Sequence, residues 1–135
     1  MNIERNSIIR RTARQLWTAR LVAALLTAMW CSAVQAAGDA ARGATLYQGC
    51  EDCHSIAKND VGPLHRGVVG RKAGSVPDYA YSPALKNSDI VWTEDNLDKW
   101  LTNPQALVPG TKMFFQVNSA KDRGDLIAFL KERAK

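Results

Sequence analysis

Two cysteines and a histidine stand together in the run CEDCH at residues 50–54. The spacing C-x-x-C-H is typical of chains that attach a c-type haem through thioether bonds. Two intervening residues bring both thiols to one edge of the macrocycle, and the histidine that follows is held beneath the iron. The motif therefore predicts one covalently bound haem c, with Cys50 and Cys53 as its attachment points and His54 as an axial iron ligand.

Two other chemistries use paired cysteines. A zinc site needs four ligands, and the chain has only two histidines, His54 and His65, to complete one. A thioredoxin-like dithiol lies between a strand and a helix, whereas Cys50 follows a segment of helical periodicity. Haem attachment is therefore the interpretation that the surrounding sequence favours.

The N-terminal segment has the features of an export signal. Five arginines and a single acidic residue precede an uncharged, mostly apolar run at residues 21–34. That run is shorter than the roughly 20 apolar residues that a membrane span needs. We expect residues 1–36 to be a cleavable signal peptide, with the cut between Ala36 and Ala37 in a run of small residues. Reading Arg10 and Arg11 as a twin-arginine address is an alternative, and so is an uncleaved anchor.

Residues 37–135 are then expected to form one domain in the periplasm, without stable membrane insertion. The net charge of +5 for the whole chain comes largely from the leader, whose five arginines and one glutamate leave the remaining residues near +1. A nearly neutral domain lacks the electrostatic footprint of a nucleic-acid-binding protein. Cys31 also lies in the leader, so the domain keeps only the two cysteines of the motif.

Helical periodicity covers three segments, at about residues 39–48, from Thr93 to Pro104, and at about residues 121–133. Between them, glycines and prolines interrupt any sustained period from His54 to Trp92. Such a long irregular segment suits a small domain that wraps a large apolar cofactor. We therefore predict an all-α fold of three or four short helices, with long loops wrapped around one haem.

The second axial ligand is expected to be Met113. It is the only methionine outside the leader, and it lies in the turn-rich run PGTKMFF. A thioether opposite a histidine raises the potential of a haem, as in electron-carrying proteins. His65 is the second candidate ligand, although a partly exposed loop histidine is the simpler interpretation. Lys112 is expected to be a solvated charge.

Six segments together resemble the class I cytochromes c of the mitochondrial and bacterial short-chain type. The resemblance spans residues 38–135 and is carried by GDAARGATLYQGCEDCH, VGP, GRKAGSVPDYAYS, IVWTEDNL, NPQALVPGTKMFF and DLIAFLK. It implies the cytochrome c fold, with Gly43 and Tyr47 packing the first helix on the last. It also implies an electron carrier rather than an enzyme.

The resemblance further assigns the surroundings of the haem. The carbonyl of Pro63 is expected to accept a hydrogen bond from the ligand histidine, and Phe115 to cover the haem edge. Polar groups near the two propionates are expected from four residues: Arg71, Tyr81, Trp92 and Thr111.

Several features depart from the family pattern. Trp100 replaces a tyrosine whose hydroxyl touches the methionine sulfur, and an indole has no such oxygen. Leu85 replaces an asparagine near the inner propionate. The ring of lysines around the haem edge is thin, since Gly49 and Gln105 occupy places that are often basic. The strength of the iron–sulfur bond and the identity of the partners are therefore left open.

The predicted function is that of a monomeric, exported protein that shuttles one electron between membrane or soluble redox proteins. Candidate partners are a quinol-oxidising complex or terminal oxidase of a respiratory chain, a reductase, or a photosynthetic reaction centre. One alternative is an open-site haem protein, either peroxidase-like or gas-binding. Another is a dedicated electron acceptor for one dehydrogenase.

Overall fold

The structure is a computed structural model, and it describes residues 38–135; the predicted leader and its cleavage site lie outside this range. The described chain forms five α-helices and one short 3₁₀ turn. They are α1 (Ala40–Tyr47), the turn Gln48–Cys50, α2 (Pro83–Lys86), α3 (Glu94–Thr102), α4 (Pro104–Leu107) and α5 (Ala120–Arg133). Within these residues, strand pairing is limited to one isolated bridge between Lys72 and Val91. The all-α prediction is confirmed.

The three predicted helices begin at side chains that cap their free N–H groups. Asp39 accepts hydrogen bonds from two backbone N–H groups at the start of α1. Thr93 and Ser119 each accept one at the start of α3 and α5. Two four-residue helices, α2 and α4, are additional to the three predicted segments. Each starts with a proline after a capping Ser82 or Asn103, and each is too short for hydrophobic periodicity to reveal. Among the described residues, no helix is both long and apolar enough to cross a membrane.

The first and last helices pack directly on each other, as the resemblance implied. Gly43 lets the backbones approach, because a Cβ there would overlap the backbone carbonyl of Asp125 and the Cβ of Phe129. One turn later, Tyr47 is 2% exposed and its ring lies 4.9 Å from that of Phe129. The α1–α5 contact therefore depends on a residue without a side chain.

A buried carboxylate fastens the same two helices. Asp125 of α5 is 2% exposed. It accepts hydrogen bonds from Asp39 N (2.8 Å), Arg42 Nη1 (2.5 Å) and Lys121 Nζ (2.7 Å). These donors, with Lys121 the strongest, hold the pKa of Asp125 well below its ordinary value. The carboxylate is thus charged at neutral pH and joins the N-terminus of α1 to α5.

The segment between α1 and α2 is irregular, as predicted, but backbone hydrogen bonds hold it in place. Gly62 N donates to Cys53 O at 2.7 Å, and His65 N donates to Ser55 O at 2.9 Å. Further along, Trp92 N donates to Arg71 O at 2.9 Å. The first two bonds fold the loop back on the C-x-x-C-H turn, and the third joins the loop to the residues that follow α2. The loop and the helices together enclose a cavity.

Candidate haem site

A cavity of about 430 Å³ lies between the irregular loop, α3, α5 and the segment after α4. Its size is that of a small-molecule or cofactor pocket. All the predicted site residues line it: Cys50, Cys53, His54, Pro63, Arg71, Tyr81, Trp92, Trp100, Thr111, Met113 and Phe115. Most of the remaining lining side chains are apolar, among them Leu85, Leu97 and Leu126.

The two cysteines lie in one tight turn at the cavity wall. Cys53 N and His54 N both donate to Cys50 O, at 3.2 and 2.9 Å. Both cysteines carry free thiols. Burial raises the pKa of Cys50 to about 11, and the charges of Glu51 and Cys53 act in the same direction. Cys50 is therefore a neutral thiol at pH 7.

The zinc alternative finds no support in the structure. Nowhere in residues 38–135 do three or more His, Cys, Asp or Glu side chains lie where they could hold a metal ion together. The sequence around the motif also lacks the strand–helix setting of a redox dithiol. Two thiols and one imidazole at the wall of an apolar cavity fit a haem better than either alternative.

A hydrogen bond fixes one nitrogen of the His54 ring. Its Nδ1 donates to Pro63 O at 2.8 Å, which is the hydrogen bond that the resemblance implied. Because Nδ1 carries the proton, Nε2 is left with a free lone pair for a metal. Burial lowers the pKa of His54, opposed by the Pro63 carbonyl, so the ring is neutral at pH 7. The backbone of Gly62 lies so close to the ring that a Cβ at this position would overlap it.

His65 lies beside His54. The two rings stack with centroids 4.2 Å apart and planes 20° apart. His65 Nδ1 is 2.9 Å from the hydroxyl of Tyr47, and burial lowers the pKa of His65 to about 3. Two axial ligands occupy opposite faces of a haem, so two stacked rings cannot fill both positions. This geometry argues against His65 as the second ligand. The Tyr47 contact, between residues 18 positions apart, was not predicted from the sequence.

The sulfur of Met113 accepts a hydrogen bond that was not predicted from the sequence. Trp100 Nε1 donates to Met113 Sδ at 3.1 Å. The indole is 7% exposed and packs edge to face on Trp92, with ring centroids 5.0 Å apart. The indole has no hydroxyl oxygen, but its N–H is itself a donor and contacts the sulfur that the tyrosine hydroxyl of relatives was expected to touch.

The loop that carries Met113 is fixed by a glutamine at a place that is often basic in relatives. Gln105 Nε2 donates to Thr111 O at 2.7 Å and to Met113 O at 3.1 Å. Thr111 is 5% exposed and lines the cavity. Lys112 is exposed, but its amine donates to Ala80 O at 2.7 Å, so it joins two loops rather than being only a solvated charge.

Arg71 and Tyr81, two of the expected propionate partners, form hydrogen bonds with the protein backbone. Arg71 Nη1 donates to Arg66 O at 2.6 Å, and Nη2 donates to Leu64 O at 2.8 Å. The Tyr81 hydroxyl accepts from Val76 N at 3.3 Å. Arginine has five N–H donors and a tyrosine hydroxyl has one, so these bonds leave both residues with further donors, and both residues line the cavity. Their role at a propionate stays a prediction, as do those of Trp92 and Thr111.

Exposed apolar side chains surround part of the cavity. Phe114, Phe115 and Val61 are 73%, 55% and 70% exposed, and all three line the cavity. Large exposed side chains of this kind are characteristic of binding surfaces. Phe115 therefore lies at an open side of the cavity rather than beneath a closed lid.

Comparison with known proteins decides the family. The family model described as cytochrome c matches residues 40–134. The chain belongs to the cytochrome c family. Cytochrome c2 of Rhodomicrobium vannielii is 48% identical over 106 residues, which is 76% of this chain and 85% of that protein. Cytochrome c of Euglena viridis is 50% identical over 98 residues, 70% of this chain and 96% of that protein.

The fold agrees with a solved member of the family. Cytochrome cH from Methylobacterium extorquens superimposes with a TM-score of 0.69 at 46% sequence identity, covering 71% of this chain and 100% of that one. Membership confirms the predicted cofactor, one covalently attached haem c with iron, and the predicted class, an electron carrier rather than an enzyme. The cavity fits this cofactor, with two free thiols, an imidazole nitrogen and a thioether in an apolar lining.

Proposed function

We propose that this cytochrome c is an exported carrier that takes one electron from one redox protein and delivers it to another. The observation that carries the proposal is the convergence of both thiols, the free Nε2 of His54 and the sulfur of Met113 on one apolar cavity. The bound haem supplies the one-electron chemistry, between ferric and ferrous iron. The protein side chains hold the haem, supply the iron ligands and exclude water.

Cys50 and Cys53 would hold the haem through two thioether bonds, each formed by addition of a thiol S–H across one vinyl group. His54 would bind the iron through Nε2, while its Nδ1–H remains hydrogen-bonded to the carbonyl of Pro63 at 2.8 Å. Such a partner keeps the ring in the tautomer that leaves Nε2 free.

Met113 would provide the second ligand through a neutral, soft thioether, which raises the reduction potential of a haem. The N–H of Trp100 donates to the sulfur at 3.1 Å, and the second lone pair of the sulfur would remain for the iron. Apolar side chains of the cavity such as Leu85 and Leu97 would exclude water from the iron. Burial of this kind is one of the means by which a protein tunes a haem.

Electrons are exchanged at the open side of the cavity, beside Phe114 and Phe115. Their exposure, 73% and 55%, supports this assignment because an apolar edge lets a partner approach closely. The leader supports export to the periplasm, and the bacterial relatives named cytochrome c2 and cytochrome cH are consistent with it. The proposed partners are the quinol-oxidising complex, oxidase, reductase or reaction centre named above, met by a monomeric carrier.

The test compares the natural holoprotein with Met113→Ala. The natural protein is expected to be six-coordinate in both oxidation states and not to bind carbon monoxide readily at neutral pH. Met113→Ala should keep its covalent haem, bind carbon monoxide, and have a potential lower by on the order of 0.1 V, since axial ligands set haem potentials over about 0.8 V. Ready carbon monoxide binding by the natural ferrous protein would instead favour an open-site haem protein.

A further inference from the structure

His65 is a half-buried histidine that the proposed electron transfer does not use. It lines the cavity, and its ring lies flat on that of His54, with centroids 4.2 Å and planes 20° apart. Stacking of two aromatic rings at this separation is a specific contact that adds to simple burial. The arrangement restricts how far the His54 ring can tilt.

Three sets of contacts hold His65 itself in place. The hydroxyl of Tyr47 lies 2.9 Å from Nδ1, and Tyr47 is in turn 2% exposed at the α1–α5 contact. The backbone N–H of His65 donates to Ser55 O at 2.9 Å, directly after His54. Arg71 donates to the carbonyls of both neighbours, Leu64 and Arg66, at 2.8 and 2.6 Å. His65 is therefore a rigid support.

The hydrogen bond to Pro63 O leaves the His54 ring a rotational freedom that His65, together with the backbone of Gly62, restricts. The hydrogen bond from Nδ1 to Pro63 O fixes the position of one ring atom but permits rotation about that bond. A flat neighbour on the ring face opposes such rotation. The orientation of an axial imidazole plane affects the electronic structure of a ferric haem, so a group that fixes the plane acts on the iron through His54.

We propose that His65 is a positioning residue of the haem site: stacked on His54 and held by Tyr47, it sets the plane of the proximal imidazole. The proposal rests on His54 being the iron ligand of the proposed function. The α1–α5 contact would then also support the iron ligand, because Tyr47 packs between these helices and holds His65 against His54.

Three holoprotein variants test the proposal. Tyr47→Phe removes the hydroxyl that holds His65 and keeps the packing. In this Tyr47→Phe background, where no buried hydroxyl loses a partner, His65→Phe keeps a flat ring against His54 and His65→Leu removes it. Tyr79→Phe is the matched control, because its hydroxyl donates to Val61 O at 2.7 Å and not to His65.

The first readout is the set of ferric g values from electron paramagnetic resonance, together with the haem methyl shifts in proton NMR. We expect Tyr47→Phe to shift both slightly and the His65→Leu double variant to shift both strongly. The His65→Phe double variant should return them close to those of Tyr47→Phe, and Tyr79→Phe should leave them unchanged. Identical spectra for the His65→Leu double variant and its parent, or equal shifts for the Leu and Phe forms, would overturn the proposal.

The second readout is solvent exchange of the His54 Nδ1 proton in the ferrous protein, which does not depend on Met113. Removal of the stacked ring should accelerate this exchange, and retention of the phenyl ring should not. A natural protein with a high-spin ferric signal would contradict the His54 and Met113 ligand pair of the proposed function. The exchange comparison would still decide the role of His65.

Discussion

The indole Nε1 of Trp100 donates a hydrogen bond to the sulfur of Met113 at 3.1 Å. Trp100 lies on α3 and Met113 lies beyond α4, so two helices bring this pair together across the cavity lining. A sulfur that accepts a hydrogen bond has less electron density for a metal. The contact therefore bears on the proposed ligand in a direction that can be measured.

The variant Trp100→Phe is expected to lower the reduction potential. Without the N–H the sulfur is a stronger donor, and ferric iron gains more from a stronger donor than ferrous iron does. A hydrogen bond contributes about 1 kcal/mol, which corresponds to about 40 mV for a one-electron couple. Redox titration of the holoprotein measures the shift, and an equal or higher potential would contradict the assignment.

The variant with both Cys50→Ser and Cys53→Ser is expected to carry no covalent haem. Serine hydroxyls do not form thioethers, so acid–acetone extraction should remove all haem from the double variant and none from the natural protein. Each single variant should keep one bond and resist extraction. Retention of haem by the double variant after extraction would mean that the attachment site is elsewhere.

Gly43→Ala is expected to destabilise the fold at the α1–α5 contact. The added Cβ would overlap the backbone carbonyl of Asp125, and overpacking of this kind typically costs about 1–3 kcal/mol. Gly124→Ala is the matched control, because a Cβ there meets nothing within 4 Å and alanine is the better helix former by about 1 kcal/mol. Denaturant unfolding should separate the two; equal stabilities would show that the helices can move apart without cost.

Stability is expected to fall in acid because of Asp125. Its pKa in the folded protein is held below the ordinary value of 3.8 by Lys121, by Asp39 N and by Arg42, so the folded state keeps the carboxylate charged. The unfolded state takes up a proton first, and the stabilisation present above about pH 4 is lost as the pH falls further. Thermal unfolding of Asp125→Asn should show lower stability at pH 7 and a smaller loss between pH 5 and pH 3. A natural protein with the same acid slope as the variant would contradict this.

Local patterns predicted three of the five helices of the described residues correctly. Asp39, Thr93 and Ser119 each accept a hydrogen bond from an N–H three residues further on. The starts of α1, α3 and α5 therefore depend on local sequence. The helices α2 and α4 were missed because four residues give no periodicity. The family pattern correctly indicated which residues line the cavity, but not what each of them contacts.

The C-x-x-C-H run predicted the covalent haem and the place of the turn that holds it, because it depends on residues next to one another in the chain, and six segments along residues 38–135 indicated the family. The hydrogen bond from Trp100 to the Met113 sulfur and the stacking of His65 on His54 are visible only in the folded structure. Both contacts join segments separated by loops without a repeating pattern. Their geometry depends on how these loops fold back on the cavity, and the pattern of neighbouring residues does not specify the course of the loops.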